Sequence, residues 1–232
     1  CVEVPDQFLL AHANPAAAGE LLYNSAQRLA AFIVLLLSLP LLLPLLLLLL
    51  LFSNGPVIIK ATRFGKRPLS AGATVPQTHM IKLFHLRTRT VDDVYTLWGR
   101  WLERSELNRL PELINVVRGD IGLIGVKPLT PIEAGRIHEE WQKKRYECQA
   151  GLIGLWFTEA AVDASLDELC AIDTYQAALH TVSDDIRVLR RTPTAWLRRV
   201  RSDAHRHLAD SEPTSQNLTQ NERAILNKVL PR

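Results

Sequence analysis

Between Leu29 and Phe52 the chain carries no charged residue, and Leu45 to Leu51 is leucine throughout. A bilayer core takes about 20 apolar residues as a helix, so this run brings the chain to a membrane. A buried helix of a soluble domain keeps a polar face, which the run lacks. It is too long and begins too deep for a secretory leader, and no small-residue cleavage site precedes Ser53. Pro40 and Pro44 each remove a backbone donor and crowd the preceding turn, so a bend is expected there. Arg28 stands before the run, and Lys60, Arg63, Lys66 and Arg67 follow it. Basic flanks favour the cytoplasmic side. A re-entrant helix over 28–54, kinked at the prolines, keeps both flanks on that side, whereas a crossing strands one of them.

The remaining length suits one domain. The expected organisation is a lead-in over 1–27, the membrane helix over 28–54, a compact cytoplasmic domain over 55–200 and a polar tail over 201–232. The formal charge of +3 suits phosphate ligands or an anionic membrane surface, and nucleic acid is not implied. Cys1, Cys148 and Cys170 lie far apart with no CxxC pair, which suggests neither a zinc site nor a disulfide framework. Ala16 to Ala30 reads as a helix entering the membrane element, and Ser53-Asn54-Gly55-Pro56 as the turn that ends it. Short strands are expected at Val57–Ile59 and Ile81–Leu86. Helices are expected over Val91–Leu107, from near Pro111, over Glu133–Arg145 on the surface, and over Leu166–Ala178 and Asp184–Arg191. The fold class is therefore α+β, mainly helical with a few short strands.

The turns between these elements form an ordered series. Gly55-Pro56-Val57 follows the membrane run, then Arg63 and Gly65, then Leu86-Arg87-Thr88. Leu110-Pro111-Glu112-Leu113, Asn115-Val116, Arg118-Gly119-Asp120, Gly125-Val126-Lys127-Pro128-Leu129 and Gly151-Leu152-Ile153-Gly154-Leu155-Trp156 complete it. Each motif is weak alone; their joint order and spacing are specific. Over residues 28–192 the series resembles the bacterial sugar transferases, the monotopic polyprenyl phosphate phosphoglycosyl transferases. That family has a proline-kinked re-entrant helix, a GPV segment, a KFRT-like strand, an S-L-D-E-L-P-Q helix start, an N-V-x-x-G-D turn, a GPRP loop and a G-x-x-G-W turn.

The resemblance implies a two-step reaction at the cytoplasmic face of a bacterial inner membrane. An aspartate attacks the sugar-linked phosphate of a nucleotide diphosphate sugar and expels the nucleoside monophosphate. Polyprenyl phosphate then takes the phosphosugar from the enzyme. A carboxylate nucleophile, Mg2+ and cations around the phosphates are implied, with partner glycosyltransferases in the same glycoconjugate pathway. Here the family's Asp-Glu dyad falls on Asn108 and Arg109. An amide is neither a competent nucleophile toward phosphorus nor a good magnesium ligand. The basic residue five positions before the nucleophile is Glu103, which reads as a charge exchange with Arg109. The GPRP arginine is Lys127, the KFRT lysine is His85, and the acid near the membrane entry is Ala31.

Three nearby carboxylates remain. Glu112, four residues after Asn108, shares its face if both are helical and is the candidate stand-in. The alternative is a solvated residue at a helix start, favoured by the dipole. Asp120 reads as a turn-stabilising side chain, and Glu106 is a further carboxylate. His85 is either a base or a strand histidine bonded to a backbone carbonyl. Arg63, Arg87, Arg109, Arg118 and Lys127 form either a phosphate cradle or a solvated, headgroup-facing surface. Two functions stay open: a phosphoglycosyl transferase with a rearranged carboxylate, and a catalytically inactive relative acting as a ligand-binding scaffold or regulator.

Overall fold

The computed structural model describes residues 15–52, 55–66, 78–89, 95–96, 98–178 and 181–201. Its first element is one unbroken helix, α1 (Pro15–Phe52), with Pro40 and Pro44 inside it. The stretch Gly19–Leu51, at a mean hydropathy of 3.0, is long and apolar enough to cross a membrane. Asn24, Gln27, Ala31, Leu42, Leu45 and Leu49 are buried, and Leu35 and Ser38 are half-covered. Their spacing of three or four residues draws one stripe along the helix. Pro40, Pro44 and most of the other leucines face outward.

The stripe rests on the rest of the chain along its whole length. Near its start, Ala31 joins a core with Ile81, Leu83, Leu113, Val116, Ile121 and Ile124. Farther on, Leu42, Leu45 and Leu49 pack against Leu86 and Leu102, with Val57, Leu107 and Leu110 beside them. Gln27 Oε1 accepts from the backbone N–H groups of Leu123 (2.6 Å) and Ile124 (3.0 Å). That contact satisfies strand donors that a purely apolar helix would leave unpaired.

Strands β1 (Ile58–Lys66) and β2 (Thr78–Leu86) form an antiparallel hairpin, in register from Ile58↔Leu86 to Lys66↔Thr78. Both extend beyond the expected strands because only one face of the pair is apolar. Ile81 and Leu83 enter the core while Lys82 between them is exposed, and such alternation hides a strand among polar residues. Strands β3 (Gly122–Ile124) and β4 (Gly151–Ile153) pair in parallel. A Cβ on Gly151 would lie 2.1 Å from the Gly125 nitrogen, so this crossing admits only glycine.

The expected helix over Val91–Leu107 is much shorter. It is α2 (Gly99–Arg104), followed by a 3-10 turn at Leu107–Arg109; residues 91–94 and 97 lie outside the described residues. Tyr95 instead bridges to Arg89. Helix α3 (Glu112–Arg118) starts as anticipated. The expected surface helix over Glu133–Arg145 is broken into α4 (Pro131–Gly135), α5 (Glu140–Lys143) and a 3-10 turn at Lys144–Glu147. Two capping boxes, Thr130 with Glu133 and Glu139 with Gln142, start separate helices on either side of Gly135. Arg145, read as a surface residue, is fully buried in an ion pair with Asp173. Helix α6 (Leu155–Thr158) follows β4, α7 (Leu166–Ala178) has the expected limits, and α8 (Val182–Arg201) outruns the expected Asp184–Arg191 at both ends. Tyr23 of α1 donates a hydrogen bond to Asp185 of α8. The polar tail expected from 201 onward lies, beyond Arg201, outside the described residues.

Candidate active site

The segment that resembles the nucleophile turn runs from α2 to α3. Glu106 has φ 53° and is the one non-glycine residue with positive φ among the described residues. A left-handed residue costs roughly 1 to 2 kcal/mol. This one ends α2 and turns the chain into the Leu107–Arg109 turn. Pro111 then precedes α3 with φ −64°, the angle its ring imposes. The result is that Asn108, Arg109 and Glu112 are presented by a tight corner rather than by one continuous helix, so helical spacing from Asn108 to Glu112 does not apply.

Glu112 faces inward, with 1% of its side chain exposed. Arg109 grips it with two bonds, Nε to Oε1 at 2.7 Å and Nη2 to Oε2 at 3.0 Å. His85 Nε2 lies 2.9 Å from the same Oε1. Burial alone would raise the Glu112 pKa, but Arg109 and His85 outweigh it and hold the carboxyl well below the usual range. Arg109 also reaches Glu106 Oε2 at 3.3 Å and the Leu152 carbonyl at 3.0 Å, and its guanidinium stands over the Trp156 ring. Glu106 in turn lies 3.4 Å from Arg199 Nη1. Two carboxylates and two guanidiniums thus close a charge-balanced network under the corner.

Glu112 is therefore not the solvated residue at a helix start that its position allowed. It is ionised but enclosed, and its oxygens are already occupied. His85 Nε2 faces the Glu112 carboxylate, and no hydrogen bond to a backbone carbonyl holds it among the described residues. Glu103 and Arg109, whose charges read as exchanged relative to the family, belong to separate clusters. Glu103 accepts from Thr88 Oγ1 and from Tyr95 Oη at 2.9 Å, and it meets Arg89 Nε at 3.4 Å. Asn108 is half-buried, and no side-chain hydrogen bond engages it among the described residues. The donor set does not suit Mg2+: Asn108 is neutral, and Glu106 and Glu112 are claimed by Arg109 and Arg199. Among the described residues no group of three acidic, histidine or cysteine side chains could hold a metal ion.

The five cations of the expected cradle have separate surroundings. Arg109 is consumed by the network. Arg87 is buried, its Nε donating to the Arg89 carbonyl at 2.7 Å. Its guanidinium fills the space beside Gly55, where φ is +134° and a Cβ would lie 2.1 Å from Nη1. Arg63 sits five residues along β1 from Ile58, roughly 16 Å from that end of the hairpin. Arg118 is 60% exposed, pairs with Asp120 at 3.4 Å, and shares the Phe84 ring with Lys60. Lys127 Nζ meets Glu133 at 3.0 Å.

Several side chains that shape the site gave little warning in the sequence. Asn115 accepts from Phe84 N at 2.9 Å and donates to the Lys82 carbonyl at 2.9 Å and to Asp120 at 3.0 Å. It fastens α3 to β2, while Gly119, at φ 78°, turns the chain out of α3. Asp120 has the turn-holding role expected of it. Arg145 and Asp173 hold the Lys127 loop, Arg145 donating to the Lys127 carbonyl and Asp173 accepting from its N–H. Arg199 caps α6 by donating to the carbonyls of Trp156 (3.0 Å) and Phe157 (2.9 Å). Of these, Asn115, Gly119 and Asp120 lay in recognisable motifs; Arg145 and Arg199 looked like ordinary surface charge.

Comparison with known proteins agrees with this architecture. The chain is 32% identical over 179 residues to an undecaprenyl-phosphate glucose phosphotransferase of Komagataeibacter xylinus, a match covering 73% of this chain and 33% of that protein. It is 31% identical over 153 residues to a UDP-glucose:undecaprenyl-phosphate glucose-1-phosphate transferase of Caulobacter vibrioides, covering 61% and 55%. An undecaprenyl-phosphate galactose phosphotransferase of Salmonella typhimurium is 29% identical over 135 residues, covering 57% and 27%. The matches thus span between about a quarter and about half of these relatives' own lengths. Residues 20–199, from within α1 into α8, match the profile described as bacterial sugar transferase, and on that match the chain belongs to the bacterial sugar transferase family.

Proposed function

We propose that this chain is a polyprenyl-phosphate glycosyl-1-phosphate transferase, moving a phosphosugar from a nucleotide diphosphate sugar to a membrane polyprenyl phosphate in exopolysaccharide or glycoconjugate synthesis. The observation that carries this reading is the continuous family match over residues 20–199, which includes both the apolar helix and the corner at Asn108. Relatives named for sugar nucleotides and undecaprenyl phosphate support the substrate class. The packing of α1 supports a helix that enters and leaves by one face: Ala31 and Leu49 lie near the two ends of its uncharged run, yet both rest on the same domain. We place that domain on the cytoplasmic side, where nucleotide sugars are made, with partner glycosyltransferases extending the product.

A second reading rests on two observations at the corner. Asn108 is neutral and Glu112 is enclosed, which suits a relative that binds these ligands without turning them over. One assay separates the two. Membranes containing the full chain are incubated with polyprenyl phosphate and a panel of nucleotide sugars, and release of nucleoside monophosphate is followed. Release above that of membranes lacking the chain supports the transferase. Ligand binding without release moves the assignment to the scaffold or regulator.

A further inference from the structure

Resting on the transferase reading, we infer that this chain transfers the phosphosugar in a single displacement, from donor directly to polyprenyl phosphate, with no covalent phosphosugar enzyme. The covalent route needs a carboxylate free to reach phosphorus. Among the described residues around the corner none is free: position 108 is an amide, and Glu112 is 1% exposed with both oxygens bound to Arg109. Glu106 is held between Arg109 and Arg199. Asp120 belongs to the turn after α3, pairing with Asn115 and Arg118.

The direct route makes no such demand. A phosphate monoester is largely a dianion near neutral pH, since its second pKa lies near 6. It is itself an adequate nucleophile and needs no general base. Its oxygen attacks the sugar-linked phosphorus of the nucleotide sugar, a new phosphoanhydride bond forms, and the bond to the nucleoside monophosphate breaks. The leaving group departs as a dianion, so two negative charges on each substrate become two on each product, with no proton gained or lost. One phosphoanhydride replaces another.

The chemistry that remains is to bring four negative charges together, and the corner suits that task. Its two carboxylates are matched by two guanidiniums, and Asn108 adds no negative charge where an aspartate would repel the incoming phosphate. The amide instead offers a donor that no other side chain claims among the described residues. The substitutions at 108, 109 and 112 thus act together: Arg109 brings a charge, Glu112 cancels it, and Asn108 keeps the surface neutral.

The test uses the full chain in native membranes or nanodiscs, with UDP-glucose and UDP-galactose as donors. Nucleoside monophosphate release should require polyprenyl phosphate, initial-rate plots against the two substrates should intersect, and intact mass should show no phosphosugar adduct on the protein. Release without acceptor, parallel plots, or an adduct would overturn the single displacement while leaving the transferase reading intact. Glu112→Gln and Glu106→Gln then identify the nucleophile by which of them abolishes the adduct. No release with either donor, where another nucleotide sugar in the panel also fails, overturns the transferase reading itself and the inference with it.

Discussion

Replacing Arg109 with methionine keeps much of the volume over Trp156 and removes the charge that faces Glu112. The structure sets the size of the effect. Glu112 is 1% exposed and loses both of its short bonds to the guanidinium, while Glu106 and the Leu152 carbonyl lose one each. Breaking a buried ion pair from one side costs about 3 to 5 kcal/mol, because the remaining charge stays desolvated. His85, at 2.9 Å, offsets part of that, so the expected loss is about 3 kcal/mol. For a chain of this size that lowers the unfolding midpoint by roughly 6 to 12 °C. Adding Glu112→Gln removes the stranded charge, and the double variant should recover most of the loss, falling within about 1 kcal/mol of the wild type. Thermal unfolding in nanodiscs, followed by tryptophan fluorescence, measures all four corners of the cycle. A single variant that costs under about 1 kcal/mol, or a double variant that costs the sum of the two singles, refutes a closed ion-pair network at this corner.

The same network gives a pH signature. Because the Glu112 pKa is depressed in the fold, its stabilisation of about 2 to 3 kcal/mol is present above the unfolded value near 4.5 and is lost as pH falls through the folded one. The wild-type unfolding midpoint should therefore drop steeply below about pH 4.5, and Glu112→Gln should flatten that limb; parallel curves would remove Glu112 from the cause. Asn108→Asp should supply the missing nucleophile, and incubation with UDP-sugar and no acceptor should then leave a phosphosugar mass on the protein; the unchanged mass would mean that Arg109 and Glu112 block the position whatever it carries. Single cysteines at Glu20 and Lys60, both exposed, should be labelled from the same side of the membrane; opposite-side labelling would make α1 a true crossing. Arg118→Ala should weaken binding of a nucleotide sugar or polyprenyl phosphate by about 1 to 3 kcal/mol if its exposed guanidinium makes a charge-assisted bond; isothermal titration giving unchanged affinity for both would assign it to solvent.

What the sequence revealed follows from where each signal is written. The apolar run and α7 were legible because continuous hydrophobicity and helical spacing are local properties. The motif turns were legible because Gly55, Gly119 and Gly151 mark places where the backbone has no other choice. The hairpin was read too short because polar residues such as Arg63 and Lys66 occur on a pair whose apolar face lies mainly on β2. The stretch 131–147 was read as one helix because its composition suits one, whereas two capping boxes and the burial of Arg145 divide it. At the site, the sequence located Asn108, Arg109 and Glu112 but not their relation. The left-handed residue at Glu106 replaces helical spacing with a corner, and Arg199, 93 residues away, closes the network from α8.

The long docked face of α1 also fixes an order of events in time. The helix is synthesised before any of the residues it rests on, since its partners lie from Val57 onward. While it waits, lipid is the only apolar phase able to cover Leu42, Leu45 and Leu49. The domain must then condense against a helix already seated in the membrane, and at each of those leucines acyl chains give way to Leu86 and Leu102. On the proposed membrane placement, synthesis of this chain is completed on the bilayer surface, with the membrane serving as the first template for a core that protein later finishes.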